Sequence, residues 1–124
     1  MISFDNFSMA DGVPIYLQII TYIKRGIVAG SIPDEAELPS RRVLSARLGV
    51  NPNTVQKAYR LLEEEGLIES RSGAKSCMLL PPLTVARVRA ELLEHDAQSI
   101  VAAMKQMGLS KTEALALLAK HWEE

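Results

Sequence analysis

The chain has 124 residues, 48% of them apolar and 23% charged, and a formal net charge of −1. This length suits one domain, or a small domain with an appendage, and excludes a second full-sized domain. A single cysteine excludes an internal disulfide, two histidines without ligand spacing exclude a paired zinc site, and no apolar run is long enough to span a membrane.

The first predicted element is a helix that begins at Pro14 and ends at Gly30. Proline suits the first turn of a helix, because its missing amide hydrogen would have no partner there. Isoleucines recur every fourth residue along this helix and predict one buried stripe: Ile15, Ile19, Ile23 and Ile27. The segment 31–37, which contains Pro33 and several acids, is expected to be a surface loop.

Two further helices are predicted in close succession. Ser40 can cap a short helix that Gly49 ends, and the apolar face of that helix is expected to hold Val43, Leu44 and Leu48. Asn51 can cap the third helix, with Pro52 at its first position. The third helix has apolar residues at helical spacing until Gly66: Val55, Ala58, Tyr59 and Leu62. So short a connection predicts a helix-turn-helix.

A β-hairpin is predicted after the third helix. Residues 67–70 and 76–80 are short strand candidates, and residues 71–75 would form the loop between them. A hairpin in this place is the wing of a winged helix-turn-helix. The predicted DNA-binding domain therefore occupies residues 1–80.

A helical region is predicted beyond Pro81 and Pro82, which break regular structure and mark a domain boundary. Residues 83–124 would form a long helix and a final helix, the latter capped by Ser110 and Glu113. The apolar stripes of these helices are too broad for so small a winged domain to cover, whereas a second copy could cover them in a four-helix arrangement. The residues expected at this dimer interface are Leu92, Ile100, Met104, Leu117 and Trp122.

The charged residues are unevenly distributed, and their placement matters more for nucleic-acid binding than their sum. No acidic residue lies between Leu38 and Leu62, although acids flank this segment on both sides. The segment contains five basic residues: Arg41, Arg42, Arg47, Lys57 and Arg60. This local excess of positive charge predicts contact with phosphates.

The start of the third helix carries the side chains best suited to read a DNA duplex. An exposed helix N-terminus with short polar side chains can enter the major groove. Asn53 and Gln56 can each make paired contacts to adenine. Thr54 can bond a phosphate or touch a thymine methyl group, and Lys57 supplies charge.

Several motifs in this region carry a family resemblance. They read PIY at 14–16, LPSRR at 38–42, LGVNPNTV at 48–55 and LEEEGLI at 62–68. Together they resemble the N-terminal domain of GntR-family regulators. The resemblance implies DNA contacts at four positions: Arg42, Asn53, Thr54 and Gln56. It also places Gly73 at the tip of the wing, whereas Lys75 stands where the family has a glycine and Cys77 where it has an aromatic residue.

The short helical tail resembles the YtrA-like branch of the family. That resemblance implies a small two-helix dimerisation region in place of a large ligand-binding domain, and it implies membrane-transporter genes as targets. The complete set of predicted DNA-contacting residues is Arg41, Arg42, Asn53, Thr54, Gln56, Lys57, Arg60, Arg71, Gly73 and Lys75.

The predicted function is that of a sequence-specific DNA-binding transcriptional regulator, a repressor that binds a pseudo-palindromic operator as a homodimer. Its partners would be duplex DNA and a second copy of the chain, with no membrane, no cofactor and no metal, and no effector is identified. The N-terminus lacks the pattern of a signal peptide, so we expect the protein in the cytoplasm.

Two other classes of function are alternatives. A protein-interaction adaptor could use the same fold, but it would expose apolar residues where the recognition helix has polar ones. An enzyme would need a catalytic constellation, and the sequence has no phosphate-binding glycine loop, nucleophile elbow or paired-carboxylate motif. Cys77, His95 and His121 are expected to have packing or surface roles, and the protein is predicted not to be an enzyme.

Overall fold

The structure is a computed structural model that describes residues 1–72 and 75–123. The described part contains five helices and one two-stranded antiparallel sheet, so the fold is mostly α with a small β-hairpin, as predicted. The elements in chain order are α1 (Ile15–Ala29), α2 (Arg41–Leu48), α3 (Pro52–Glu64), β1 (Ile68–Arg71), β2 (Lys75–Met78), α4 (Pro82–Gln106) and α5 (Lys111–Trp122).

The chain groups into two compact units, Met1–Arg89 and Ala90–Glu124, and the division falls within α4. The first turns of α4 belong to the first unit, where Val88 is fully buried. None of the helices in the described part of the chain is both long and apolar enough to cross a bilayer. Within the same residues, no three His, Cys, Asp or Glu side chains come together in a way that could hold a metal ion.

The core of the first unit is built on α1 and α3, which pack against each other. Most of the isoleucine stripe predicted for α1 is buried, and the helix ends at Gly30, whose positive φ of 84° favours glycine. The four predicted apolar residues of α3 are all fully buried: Val55, Ala58, Tyr59 and Leu62. The helical spacing in the sequence therefore identified both core faces.

The helix-turn-helix forms between α2 and α3 with the predicted caps. The Ser40 hydroxyl accepts a hydrogen bond from the Val43 amide at 3.1 Å, and the Asn51 side chain accepts one from the Asn53 amide at 2.8 Å. Each bond satisfies an amide that would otherwise have no partner in the first turn of its helix. Gly49 ends α2 in the left-handed conformation, with φ at 68°.

The prediction that Val43 shares the buried face of α2 is wrong. Val43 is 54% exposed, whereas Leu44 is fully buried. The buried face of α2 is centred between Leu44 and Ser45, and at about 100° per residue this turns Val43, on the other side of Leu44, toward solvent. The second buried position belongs instead to Ser45, whose hydroxyl donates a hydrogen bond to the Arg42 carbonyl oxygen at 3.0 Å.

The wing is an antiparallel hairpin in which Ile68 pairs with Met78 and Arg71 with Lys75. The strands are therefore longer at the wing end than predicted, because Arg71 and Lys75 pair in the ladder rather than lying in the loop. At its other end β2 stops at Met78, short of the predicted residue 80. Gly73, predicted at the tip, lies outside the described residues.

Part of the segment predicted as a surface loop is tied to the sheet. The Glu35 amide donates to the Met78 carbonyl oxygen at 3.1 Å, and the Met78 amide donates to the Ala36 carbonyl oxygen at 2.9 Å. Ile32 in the same segment is buried. The prediction of an open surface loop is wrong here because the outer edge of β2 carries backbone groups that need partners, and this segment supplies them.

Residues before α1 form part of the same core, a role that the sequence pattern did not indicate. Phe4 is buried and stacks on Tyr22 of α1, with ring centroids 4.9 Å apart. The Tyr22 hydroxyl donates a hydrogen bond to the Ser3 carbonyl oxygen at 2.7 Å. Aromatic stacking and burial thus hold the N-terminal segment against α1.

The second unit contains α4 from Ala90 onward and all of α5. Gly108 lies in the connection just after α4 and has a positive φ of 78°. The predicted capping box of α5 is present, since the Glu113 amide donates to the Ser110 hydroxyl at 3.2 Å and the Ser110 amide donates to the Glu113 carboxylate at 3.3 Å. No residue of α5 is buried in a single copy of the chain.

Candidate nucleic-acid interface

The N-terminal half of α3 presents a polar face to solvent. Asn53, Gln56, Lys57 and Arg60 are exposed, and their spacing of three and four residues places them on one side of the helix. The buried stripe that begins at Val55 lies on the other side. The face has the narrow, hydrogen-bonding character that suits a major groove.

The first turn of α3 is fixed by its cap. The Thr54 amide donates to the Asn51 carbonyl oxygen at 2.9 Å, in addition to the bond from Asn53 to the Asn51 side chain. Thr54 is itself half-buried, so its side chain has less freedom than that of Asn53. The geometry holds the backbone at the place where base edges would be met, while the Asn53 and Gln56 side chains stay exposed.

Lys57 is positioned by a residue that sequence reasoning missed. Its ammonium group lies over the ring of Tyr16 in α1, 4.0 Å from the ring centroid. A cation over an aromatic face is attracted by the ring quadrupole and keeps its positive charge. The motif PIY at 14–16 marked Tyr16 in the sequence, but nothing in that motif indicated that its ring would meet α3.

Arg41 and Arg42 at the start of α2 have different surroundings although they are neighbours in sequence. Arg42 is exposed, and within residues 1–72 and 75–123 it makes no side-chain hydrogen bond or ion pair. Arg41 is half-buried, and its guanidinium lies over the ring of Tyr59, 5.3 Å from the centroid. The Nε atom of Arg41 is buried without a hydrogen-bond partner in the described structure.

Tyr59 is the buried residue that faces this region from α3. Its phenol oxygen donates a hydrogen bond to the Pro39 carbonyl oxygen at 2.7 Å. Burial raises the pKa of the Tyr59 phenol above its ordinary value, an effect larger than the opposing influence of the Arg41 charge. The phenol therefore keeps its proton and stays a hydrogen-bond donor at neutral pH.

Two other basic side chains of α2 and α3 are paired with carboxylates. Arg60 contacts Glu64 at 3.0 Å, one helical turn along α3, and Arg47 contacts Asp5 of the N-terminal segment. Such exposed pairs contribute little stability and can be exchanged for other anions. The charge that these two arginines can offer to a phosphate is partly compensated before DNA arrives.

In the wing, Arg71 contacts Glu69 at 2.9 Å and Glu35 at 3.7 Å. The hydrogen bond to Glu69 is the first cause that raises the pKa of the Arg71 guanidinium, with smaller contributions from nearby negative groups. Lys75, the strand partner of Arg71, is exposed and has no ion pair within the described ranges. Cys77 beside it is buried, in agreement with the packing role expected for it.

Comparison with known proteins places this geometry in a family. The model of the bacterial regulatory proteins of the gntR family matches residues 15–75. The regulator YhcF of Bacillus subtilis is 33% identical over 102 residues, which cover 82% of this chain and 84% of YhcF. The chain belongs to the GntR family. It is a transcriptional regulator with a DNA-binding fold.

Two further similarities place this GntR protein in the YtrA-like branch and support its fold. The transcriptional repressor YtrA of Bacillus subtilis is 37% identical over 92 residues, which cover 68% of this chain and 71% of YtrA. A GntR family transcriptional regulator from Listeria monocytogenes has a solved structure with a TM-score of 0.78 and 29% identity, over 90% of this chain and 98% of that one. GntR regulators bind DNA, which agrees with the polar face of α3.

The GntR protein also carries an apolar surface in its second unit, at the residues predicted for dimerisation. In a single copy of the chain, Ile100 and Leu117 are each 43% exposed and Trp122 is 89% exposed. Leu92 and Met104 are half-buried. Several large apolar side chains left exposed in so small a unit are unusual for a surface that faces only water.

Proposed function

We propose that this GntR-family regulator is a repressor that binds a pseudo-palindromic operator as a homodimer. The observation that carries the proposal is the exposed polar face of α3, on which Asn53, Gln56 and Lys57 lie beside one another. A protein-interaction adaptor would instead expose apolar side chains on that face. Repression is supported by the similarity to YtrA of Bacillus subtilis, which is named a repressor.

The proposed contacts divide between bases and phosphates. Asn53 and Gln56 read base edges, because their amides can donate and accept at the same adenine. Thr54, Lys57 and Arg60 hold phosphates from α3. Four more residues of the proposed interface come from α2 and the wing: Arg42, Arg71, Gly73 and Lys75. Arg41 is part of the proposed interface because it precedes Arg42 at the start of α2, next to the proposed phosphate contact.

The proposed domain organisation gives each region one role. Residues 1–80 bind DNA, and residues 83–124 join two copies. The support for the second role is the uncovered apolar surface around Ile100, Leu117 and Trp122, together with the tendency of homo-oligomers to form two-fold interfaces. Two-fold pairing of recognition helices would match the symmetry of an inverted repeat.

The proposed setting is the cytoplasm, where the DNA of a bacterium lies. We infer that the protein acts there without a cofactor, without a metal and without catalysing a reaction, since its relatives are named transcriptional regulators. No membrane partner is proposed.

Selection from random DNA duplexes tests the proposed recognition. Duplexes retained by the intact protein at physiological salt should be enriched in one inverted repeat, because two identical readers impose their symmetry on the site. The enriched duplex should then bind at least about 10³-fold more tightly than random DNA. Retention without any enriched sequence would contradict the proposal.

Analytical ultracentrifugation tests the proposed dimer. The intact protein should sediment as a dimer at micromolar concentration, and Ile100→Ser or Leu117→Ser should shift it toward the monomer by placing a polar group in an apolar interface. Leu17→Ser is the matched control, because Leu17 is 40% exposed, close to the 43% of Ile100 and Leu117, but lies in α1, outside residues 83–124. A strict monomer that still binds the repeat tightly would refute the dimer.

A further inference from the structure

Tyr59 joins the recognition helix to the segment that leads into α2. Its side chain is fully buried, and its hydroxyl donates to the Pro39 carbonyl oxygen at 2.7 Å. The Arg41 guanidinium lies over its ring at 5.3 Å. One tyrosine of α3 therefore holds the residues on both sides of Ser40, which is the cap of α2.

These contacts fix the backbone around Arg42. Ser40 accepts a hydrogen bond from the Val43 amide, and the Ser45 hydroxyl donates to the Arg42 carbonyl oxygen. The Arg42 side chain itself is exposed and forms no ion pair in the described part of the chain. Because the backbone at Arg42 is already fixed, binding has to order only the Arg42 side chain and not the chain that carries it.

Arg41 differs from Arg42 because its side chain packs against the protein instead of extending into solvent. The buried Nε atom shows that the end of its stem lies against the protein rather than in solvent. The attraction between a guanidinium and an aromatic face accounts for this placement over the Tyr59 ring.

We propose that Tyr59 is a positioning residue for DNA binding, which holds Arg42 in place through Pro39 and Arg41. In this arrangement Arg41 acts through the tyrosine ring and does not itself hold a phosphate. The inference rests on the proposed function, in which Arg42 contacts a phosphate.

A double-mutant cycle between Tyr59→Phe and Arg42→Ala tests the proposal. Fluorescence anisotropy would measure the affinity of the intact protein for the selected inverted repeat at several salt concentrations, at a temperature where circular dichroism shows each variant folded. Tyr22→Phe is the matched control, because the Tyr22 hydroxyl also donates to a backbone carbonyl at 2.7 Å but lies between α1 and the N-terminal segment. Both phenylalanine variants should melt at lower temperature than the parent.

Coupling is the expected result. Tyr59→Phe should weaken operator binding by about fivefold in the parent and by less than about twofold in the Arg42→Ala background, since coupled residues are not additive. Tyr22→Phe should leave affinity unchanged. If Tyr59→Phe lowers the melting temperature but not the operator affinity, the positioning role is refuted. It is also refuted if the affinity lost in Tyr59→Phe and the affinity lost in Arg42→Ala add fully in the double variant. If Arg42→Ala alone changes neither affinity nor salt dependence, the proposed phosphate contact fails instead, and the positioning role fails with it.

Arg41 variants give a second test that does not disturb the buried core. Arg41→Lys keeps a cation near the ring and should bind the operator within about twofold of the parent. Arg41→Met should weaken binding while leaving the salt slope unchanged, because no phosphate contact is lost. A slope that is shallower by about one unit per copy in Arg41→Met would show that Arg41 itself holds a phosphate and would overturn its assignment to Tyr59.

Discussion

Replacing Arg42 by alanine should reduce the salt dependence of operator binding more than any other change in α2. Each phosphate contact made by a cation releases counterions, and its loss makes the slope of log affinity against log salt shallower by about 0.9. Arg42 has no carboxylate partner among the described residues, so its full charge is available for such a contact. A homodimer would lose two contacts, which corresponds to a slope change of about 1.8.

The size of the effect follows from the salt range. Raising salt from about 50 to about 200 mM should change the ratio of parent to Arg42→Ala affinity by about 12-fold for two lost contacts and by about 3.5-fold for one. Lys57→Ala should behave similarly, since the ring of Tyr16 positions the Lys57 ammonium without neutralising it.

Arg47→Ala is the control for this experiment. Arg47 lies in the same helix and is exposed, but it contacts Asp5 and stands outside the proposed interface. Its removal should leave the slope close to that of the parent, measured by anisotropy titrations at four or more salt concentrations. Equal slopes for the parent and for Arg42→Ala would refute the reasoning, and so would an equally large change in Arg47→Ala.

Three further predictions concern other parts of the interface. Asn53→Ala and Gln56→Ala should each relax the preference for particular base pairs by about 1 to 3 kcal/mol, measured with operators that carry single base-pair substitutions. If either variant instead loses affinity equally for operator and random DNA, its residue positions the helix and does not read bases. Glu69→Gln should tighten binding at low salt, because Arg71 would no longer have to leave the Glu69 carboxylate at 2.9 Å; weaker binding would contradict this. Ser40→Ala should lower the free energy of unfolding by about 1 kcal/mol in urea, since the cap bond to α2 is lost, and an unchanged midpoint would argue against the cap.

Local signals in the sequence predicted local structure well. The caps at Ser40, Asn51 and Ser110 each depend on a side chain and an amide within three residues, so the sequence contains everything that the interaction needs. The eight-residue helix α2 shows the limit of such signals. Two turns leave more than one possible apolar face, so the sequence pattern predicts the wrong side for Val43.

Contacts between distant residues were not predictable from spacing. Tyr16 meets Lys57, and Tyr59 meets Pro39 and Arg41, only because the helices pack in a particular way. Before α1 the only pattern is the short alternation of Ile2 and Phe4 with polar residues, which does not show that Phe4 would stack on Tyr22. A single sequence shows which side chains could interact, and packing decides which of them do.

The fold also decides which of the basic side chains have carboxylate partners. The absence of acids between Leu38 and Leu62 indicated a positive surface, but the fold brings carboxylates from outside that segment, so that Asp5 meets Arg47 and Glu64 meets Arg60. Within the described residues from 38 to 75, the cations without a carboxylate partner are Arg41, Arg42, Lys57 and Lys75. Non-specific attraction to DNA grows with the number of cations that contact phosphates, and Arg60 and Arg71 add to it only by leaving their carboxylates. In the proposed homodimer, the tethering of two copies would add to the base contacts made by α3, so that operator affinity would also depend on the second unit.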